Sequence, residues 1–183
     1  MYGMIHRAVR ELVIERTGAA AWEAIEREAG VGPAELISAA VYPDPLTLRV
    51  VAAAAAQMGM ETADFLRMFG RHWVRFAGSG PYAGIMDFAG HDLAGFISNL
   101  DRMHRAVQSA MPEARVPQFT LVRADAAGLV VRYGSAREGL EPFVVGLLEG
   151  LMERFGHGGA VGLGERTEEG TLFYVMLRKE TAP

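Results

Sequence analysis

The sequence predicts an α+β fold: a helical N-terminal lobe followed by a lobe that pairs helices with a small antiparallel sheet. Two observations carry this. Up to about Ala110 the apolar residues recur at steps of three and four, the spacing of one helix face. Beyond Pro117 they fall into four short runs, grouped as two pairs that each meet at turn residues, with one helical stretch between the pairs.

The elements follow in order. Ile5, Val9, Leu12 and Val13 share a face opposite Arg7, Arg10, Glu11 and Glu15, and Gly18 ends this first helix. A second, short helix carries Trp22, Ile25 and Ala29 and stops near Gly30. Tyr42-Pro43-Asp44-Pro45 reads as a turn, with Asp44 or Thr47 available to cap the alanine-rich helix that follows. Thr62 opens a helix through Phe65, Leu66, Phe69 and Trp73, broken by Gly78-Ser79-Gly80-Pro81. A long helix is expected from about His91 to Ala110, ended by Pro112. Strands are expected at 119–124 and 129–133 around Asp125-Ala126-Ala127-Gly128, then a helix from Leu140 to Phe155, then strands at 160–166 and 171–178 around Glu169-Gly170.

The 183 residues suit one domain, expected as two lobes at roughly 1–60 and 61–183. Half the residues are hydrophobic, so the chain can bury a core, and 18 basic against 22 acidic residues leave a net charge of −4 with the cations scattered. That distribution argues against a nucleic-acid partner. The absence of cysteine removes disulfides, thiolate metal sites, iron–sulfur clusters and cysteine nucleophiles. The N-terminal residues lack the apolar stretch of a signal peptide, and Val50 to Ala56, the longest apolar run, is too short to span a bilayer. A cytoplasmic protein without a membrane partner is the expectation.

Two places carry chemistry. In the long helix Leu93, Phe96, Ile97, Leu100, His104 and Val107 share one stripe, which turns His104 toward the core while Asp92, Asp101, Arg102 and Arg105 fall elsewhere. An imidazole in such a place is either a core residue satisfied by a carbonyl or water, or a metal ligand. His6, His72, His91 and His157 show no paired metal-binding spacing. The other place is Tyr133-Gly134-Ser135-Ala136-Arg137 at a strand end, where alternate residues converge to present two hydroxyls and a guanidinium. That trio suits a carboxylate or phosphate, or is the exposed polar face of an ordinary strand.

Tyr133-x-Ser135-x-Arg137 resembles the Tyr-x-Ser-x-Arg motif of the H-NOX (heme-nitric oxide/oxygen binding) family, related to the heme domain of soluble guanylate cyclase. The opening Met1-Tyr2-Gly3-Met4-Ile5, His104, Pro117 and the segment from Phe143 to Gly150 are similar to that family in order and spacing. The resemblance implies heme b between the two lobes, with His104 as its iron ligand. It implies Tyr133, Ser135 and Arg137 at the propionates, and Pro117 packed against the macrocycle. It also implies a distal wall of Ile5, Val9, Trp73, Val74, Phe143 and Leu147. Phe143 stands where oxygen-holding relatives carry a tyrosine donor, so the expected ligands are nitric oxide and carbon monoxide. Signalling would follow release of His104 and reach a separate protein, such as a bacterial histidine kinase or cyclic-di-GMP enzyme, because the chain closes soon after its last strand. No catalytic role is expected. A heme peroxidase or oxygenase would need distal acid–base groups, for which His72 is the nearest candidate. A cofactor-free binding or interaction module with the same fold is the alternative.

Overall fold

The computed structural model describes residues 1–79, 83–110, 112–113 and 115–178. Six helices come first: α1 (Gly3–Thr17), α2 (Ala19–Ala29), α3 (Asp44–Gln57), α4 (Thr62–Ala77), α5 (Ala83–Ala89) and α6 (Leu93–Ala110). Then follow β1 (Gln118–Asp125), β2 (Gly128–Gly134), α7 (Glu141–Arg154), β3 (Gly159–Thr167) and β4 (Gly170–Leu177). The sheet order is β1-β2-β4-β3, antiparallel throughout, so the two expected hairpins join along β2 and β4. No helix among the described residues is long and apolar enough to cross a membrane.

The helix ends follow local chemistry. Gly18 terminates α1, and Gly30 terminates α2 in the left-handed conformation (φ 67°) that only glycine adopts without strain. Asp44 and Thr47 do not cap α3: Pro43 is its N-cap, and no side chain caps it. Asp44 is the first helical residue instead, and Thr47 is buried with its hydroxyl 2.8 Å from Nε2 of His6. The long helix begins at Leu93 rather than His91, because the Asp92 carboxylate accepts the Gly95 N–H at 2.8 Å and so caps it. Helix α5 and a 3₁₀ turn at Pro33–Leu36 were not expected. Each is too short to show a helical period. Of the expected break after α4, Gly78 caps the helix, whereas Gly80 and Pro81 lie outside the described residues.

Two apolar cores form. One gathers α1–α3 with the start of α4, around Val9, Leu12, Ile25 and Phe65. The other gathers the end of α4, α5–α7 and the inner sheet face, around Val74, Phe96, Leu148 and Phe173. Helix α4 contributes to both cores, and Trp73 and Phe143 pack against both.

Helices α4 and α7 cross with their backbones in contact. A Cβ on Gly146 would overlap the Arg67 carbonyl, and one on Gly70 would overlap the Phe143 carbonyl. Beside this crossing the buried Glu149 pairs with Arg67 and, at 3.1 Å, with Arg71. Near it Trp73 and Phe143, one from each helix, both pack on Phe69. Replacing Gly146 with Ala should lower stability by about 1–3 kcal/mol in urea unfolding, the usual effect of overpacking. Gly84→Ala, on α5 with open space around it, should leave stability unchanged or raised.

Candidate heme pocket

A cavity of about 1070 Å³ opens between the two cores, walled by α1, α3, α4, α6, α7 and the sheet. Its lining is mainly apolar, and ten of the eleven residues expected at the site contribute to it: Ile5, Trp73, Val74, His104, Pro117, Tyr133, Ser135, Arg137, Phe143 and Leu147. Val9 does not. It is fully buried in the helical core, one step around α1 from the cavity-facing side that carries Ile5. Helical spacing groups Ile5 with Val9 but cannot tell which of them looks into a void.

His104 is half-buried on α6, below the stripe of buried Leu93, Phe96, Ile97 and Leu100. Its Nδ1 lies 3.0 Å from the Pro117 carbonyl oxygen. A carbonyl only accepts, so Nδ1 carries the proton and donates, and the lone pair is left on Nε2. Burial lowers the His104 pKa below its ordinary 6.5, against the opposing pulls of that hydrogen bond and of Asp101. The ring is therefore neutral, the form that binds metal. Two further contacts fix it: Asp101 accepts the Phe119 N–H at 2.7 Å, tying β1 to α6, and the His104 ring packs on Phe119 at 5.9 Å between centroids.

The polar residues gather at one rim. Tyr133 is buried against Phe119 and Phe173, and burial raises its pKa above 10.0 while a hydrogen bond with Ser135 opposes the rise. Ser135 Oγ accepts the Arg137 backbone N–H at 3.0 Å. The Arg137 guanidinium is partly engaged: Nε and one terminal nitrogen donate to the Asp44 carboxylate at 2.8 and 3.2 Å, and the other donates to the Arg115 carbonyl at 2.7 Å. Of the five N–H groups of a guanidinium this leaves two. Asp44 also receives the Met1 ammonium at 2.9 Å, because the chain start is zipped to the following loop through Gly3 N–H to Ala40 O and Tyr42 N–H to Met1 O.

The sequence reading did not place Asp44 or Met1 at the site. Asp44 reads as a helix cap, and nothing local signals a partner 93 residues away. His72, by contrast, is not in the cavity lining, although its neighbour Trp73 is. The indole of Trp73 stacks on Phe76 and packs edge-on to Phe69, with centroids 5.7 and 6.3 Å away, and Phe143 meets Phe69 at 5.4 Å. The part of the wall around Trp73 and Phe143 is thus aromatic. No group of three or more His, Cys, Asp or Glu among the described residues could itself hold a metal ion, so an iron here would need ligands from a macrocycle.

The sequence profile of the Haem-NO-binding family matches residues 2–161. Soluble guanylate cyclase 89Db of Drosophila melanogaster is 26% identical over 156 residues, 85% of this chain and 23% of its own length. Soluble guanylate cyclase gcy-35 of Caenorhabditis elegans is 29% identical over 161 residues, 84% of this chain and 23% of its own. The chain thus spans less than a quarter of these curated relatives. Among solved structures, an H-NOX protein from S. oneidensis in the Fe(II) ligation state superposes with a TM-score of 0.85 at 18% identity, covering 98% of this chain and 97% of that one. An oxygen-binding H-NOX domain related to soluble guanylate cyclases, solved as its oxygen complex, gives 0.82 at 19% identity, with 100% and 98% coverage. These two likenesses show the shared fold.

The Arg137 hydrogen bonds, with those of the chain start, lower the Asp44 pKa from 3.8 to about 2 despite opposing burial. A carboxyl whose folded pKa is depressed contributes stability above its unfolded value and loses it as pH falls through the folded one. Asp44→Asn should therefore be less stable than the parent by a constant margin at neutral pH. In urea unfolding that margin should shrink between about pH 4 and about pH 2.

Proposed function

The chain belongs to the Haem-NO-binding family, and from that membership we propose that it is a heme-based sensor of nitric oxide and carbon monoxide with His104 as the iron ligand. The observation that carries the reading is the His104 tautomer. Donation from Nδ1 to Pro117 directs the free lone pair to Nε2, and a ligating histidine is usually oriented by such a second hydrogen bond.

The residues present fit the group. The cavity, at about 1070 Å³, lies just above the roughly 300–1000 Å³ typical of small-molecule sites, as suits a macrocycle. Tyr133 and Ser135 offer hydroxyls and Arg137 its two unused N–H groups to a pair of carboxylates at the rim. Pro117 lines the cavity and supplies the carbonyl that holds the ring. Bound here, heme b would supply an iron able to hold a diatomic gas, with His104 as the residue that holds the iron.

The chain's own groups then decide which gas is held and how the event is passed on. Ile5, Val74, Phe143 and Leu147 bring no hydrogen-bond donor to the gas side. Dioxygen gains from a donor more than nitric oxide or carbon monoxide does, so this wall favours the latter two. The Trp73 indole is the one donor-bearing side chain of the expected distal wall, and its ring is held by Phe69 and Phe76. On the other side, His104 is joined to β1 through Pro117 and Phe119, so any change in its tether is felt by α6 and the sheet edge together. A ligand shifts such an arrangement only through its differential affinity for two states, and loss of the His104 tether would be that difference. The output would pass to a separate signalling protein, of the histidine-kinase or cyclic-di-GMP class that the family resemblance implies.

His104→Gly should yield protein without the heme absorption band unless imidazole is supplied during expression. An unaltered band in that variant would overturn the assignment. Phe143→Tyr places a donor in the gas-side wall and should slow dioxygen loss from the reduced protein by about tenfold, roughly the worth of one hydrogen bond, while carbon monoxide loss changes little. Stopped-flow spectroscopy reads both rates.

A further inference from the structure

His72 breaks the hydrogen-bond accounting of this protein. Its ring is 2% exposed, and its Nδ1 and Nε2 are the buried side-chain polar atoms, among the described residues, that have no hydrogen-bond partner. An orphaned buried polar group is costly, and one that persists calls for an explanation. The ring sits on α4 and faces α1. There Glu11 Oε1 stands 3.5 Å from Nε2, and Glu15 Oε2 stands 3.7 Å from Nδ1. The two carboxylates are one helical turn apart and approach opposite edges of the ring.

A neutral imidazole has one N–H, so one of its nitrogens must turn a lone pair toward a carboxylate. The imidazolium alone has a donor for each. Both distances exceed a good hydrogen bond, so the carboxylates stand off from the ring in this structure and have room to close on it. The remaining charged groups around it are Arg16 on α1 and Arg75 on α4, while Arg7 and Arg10 line the same surface groove as Glu11 and Glu15. Phe76 packs on the ring at 6.4 Å.

We infer that His72 is a proton-responsive joint between α1 and α4: neutral near pH 7, it takes up a proton on acidification and donates from both nitrogens to Glu11 and Glu15, drawing the α1 carboxylates onto α4. Both helices that meet at the joint also wall the cavity, α1 through Ile5 and α4 through Trp73, the residue next to His72. The joint therefore couples acidity to the gas side of the pocket, and this coupling rests on the heme reading above, whereas the titration does not. Burial pushes the His72 pKa below its ordinary 6.5; Glu11 and Glu15 oppose this, and Arg75 and Arg16 reinforce it. The folded ring thus binds its proton less readily than the unfolded one. Stability falls as pH drops below 6.5 and levels off once the folded ring is charged.

The test uses the full chain, loaded with heme, and assigned histidine ring resonances followed by NMR from about pH 7.5 to about pH 5. His72 should titrate below 6.5, and the Glu11→Gln/Glu15→Gln double variant should push it lower still. Over the same range the parent should lose thermal stability that His72→Phe does not lose, with the variant at least as stable as the parent at the upper pH. His72→Gln serves as a second variant without a titrating ring, should the phenylalanine fail to pack. The rate of carbon monoxide rebinding after flash photolysis should change across the window in the parent and stay flat in both His72 variants. A His72 titration at or above 6.5, an unchanged acid loss of stability in the variants, or a parent rebinding rate that is flat across the window would each overturn the inference. If the chain took up no heme, the preceding reading would fail, and the NMR and stability results would still decide the joint.

Discussion

The site depends on the hydrogen bond from His104 Nδ1 to the Pro117 carbonyl. It fixes the tautomer, settles which ring nitrogen keeps a lone pair, and ties the middle of α6 to the segment that leads into β1. Proline suits this place because it has no N–H of its own and its restricted φ stiffens the connection. The Asp101 carboxylate, one turn back on α6, repeats the tie by accepting the Phe119 N–H. Two bonds from one helix to one strand entrance hold a neutral imidazole in an apolar cavity, where a free ring would lose the hydration it has in water.

Around that fixed point the two cores play different parts. The α4–α7 crossing, where Gly70 and Gly146 let the backbones touch, makes the cavity wall that these helices form a rigid one. The contact across the rim is electrostatic instead: Arg137, at the end of β2, reaches Asp44 at the start of α3. One face of the pocket is thus packed, and its rim is held by a charge pair.

The fold was legible because periodicity reports it directly. The six longer helices and the four strands, from the Ile5–Val13 face to the paired strands around Asp125 and Glu169, stand within a few residues of where spacing puts them. Helix α5 was not legible, since seven residues make too few turns to show a period. His104, Tyr133, Ser135 and Arg137 could be singled out because each belongs to a local pattern. Asp44 and Val9 show the limit of such patterns. The first acquires its role from a partner distant in sequence, and the second shares a helix face with Ile5 yet lies against protein rather than the cavity. His72 and His6 likewise show no metal-binding spacing in the sequence, and only tertiary packing buries them.

The central claim is a coordinate bond between this chain and heme iron, and the most direct measurement is an absorption titration of the reduced protein with heme, repeated after nitric oxide is added. The account predicts uptake that ends at one heme per chain, giving an intense band that shifts with nitric oxide and persists after the gas-free protein is re-isolated. Uptake that never saturates, or a spectrum identical to that of heme free in the same buffer, would contradict it.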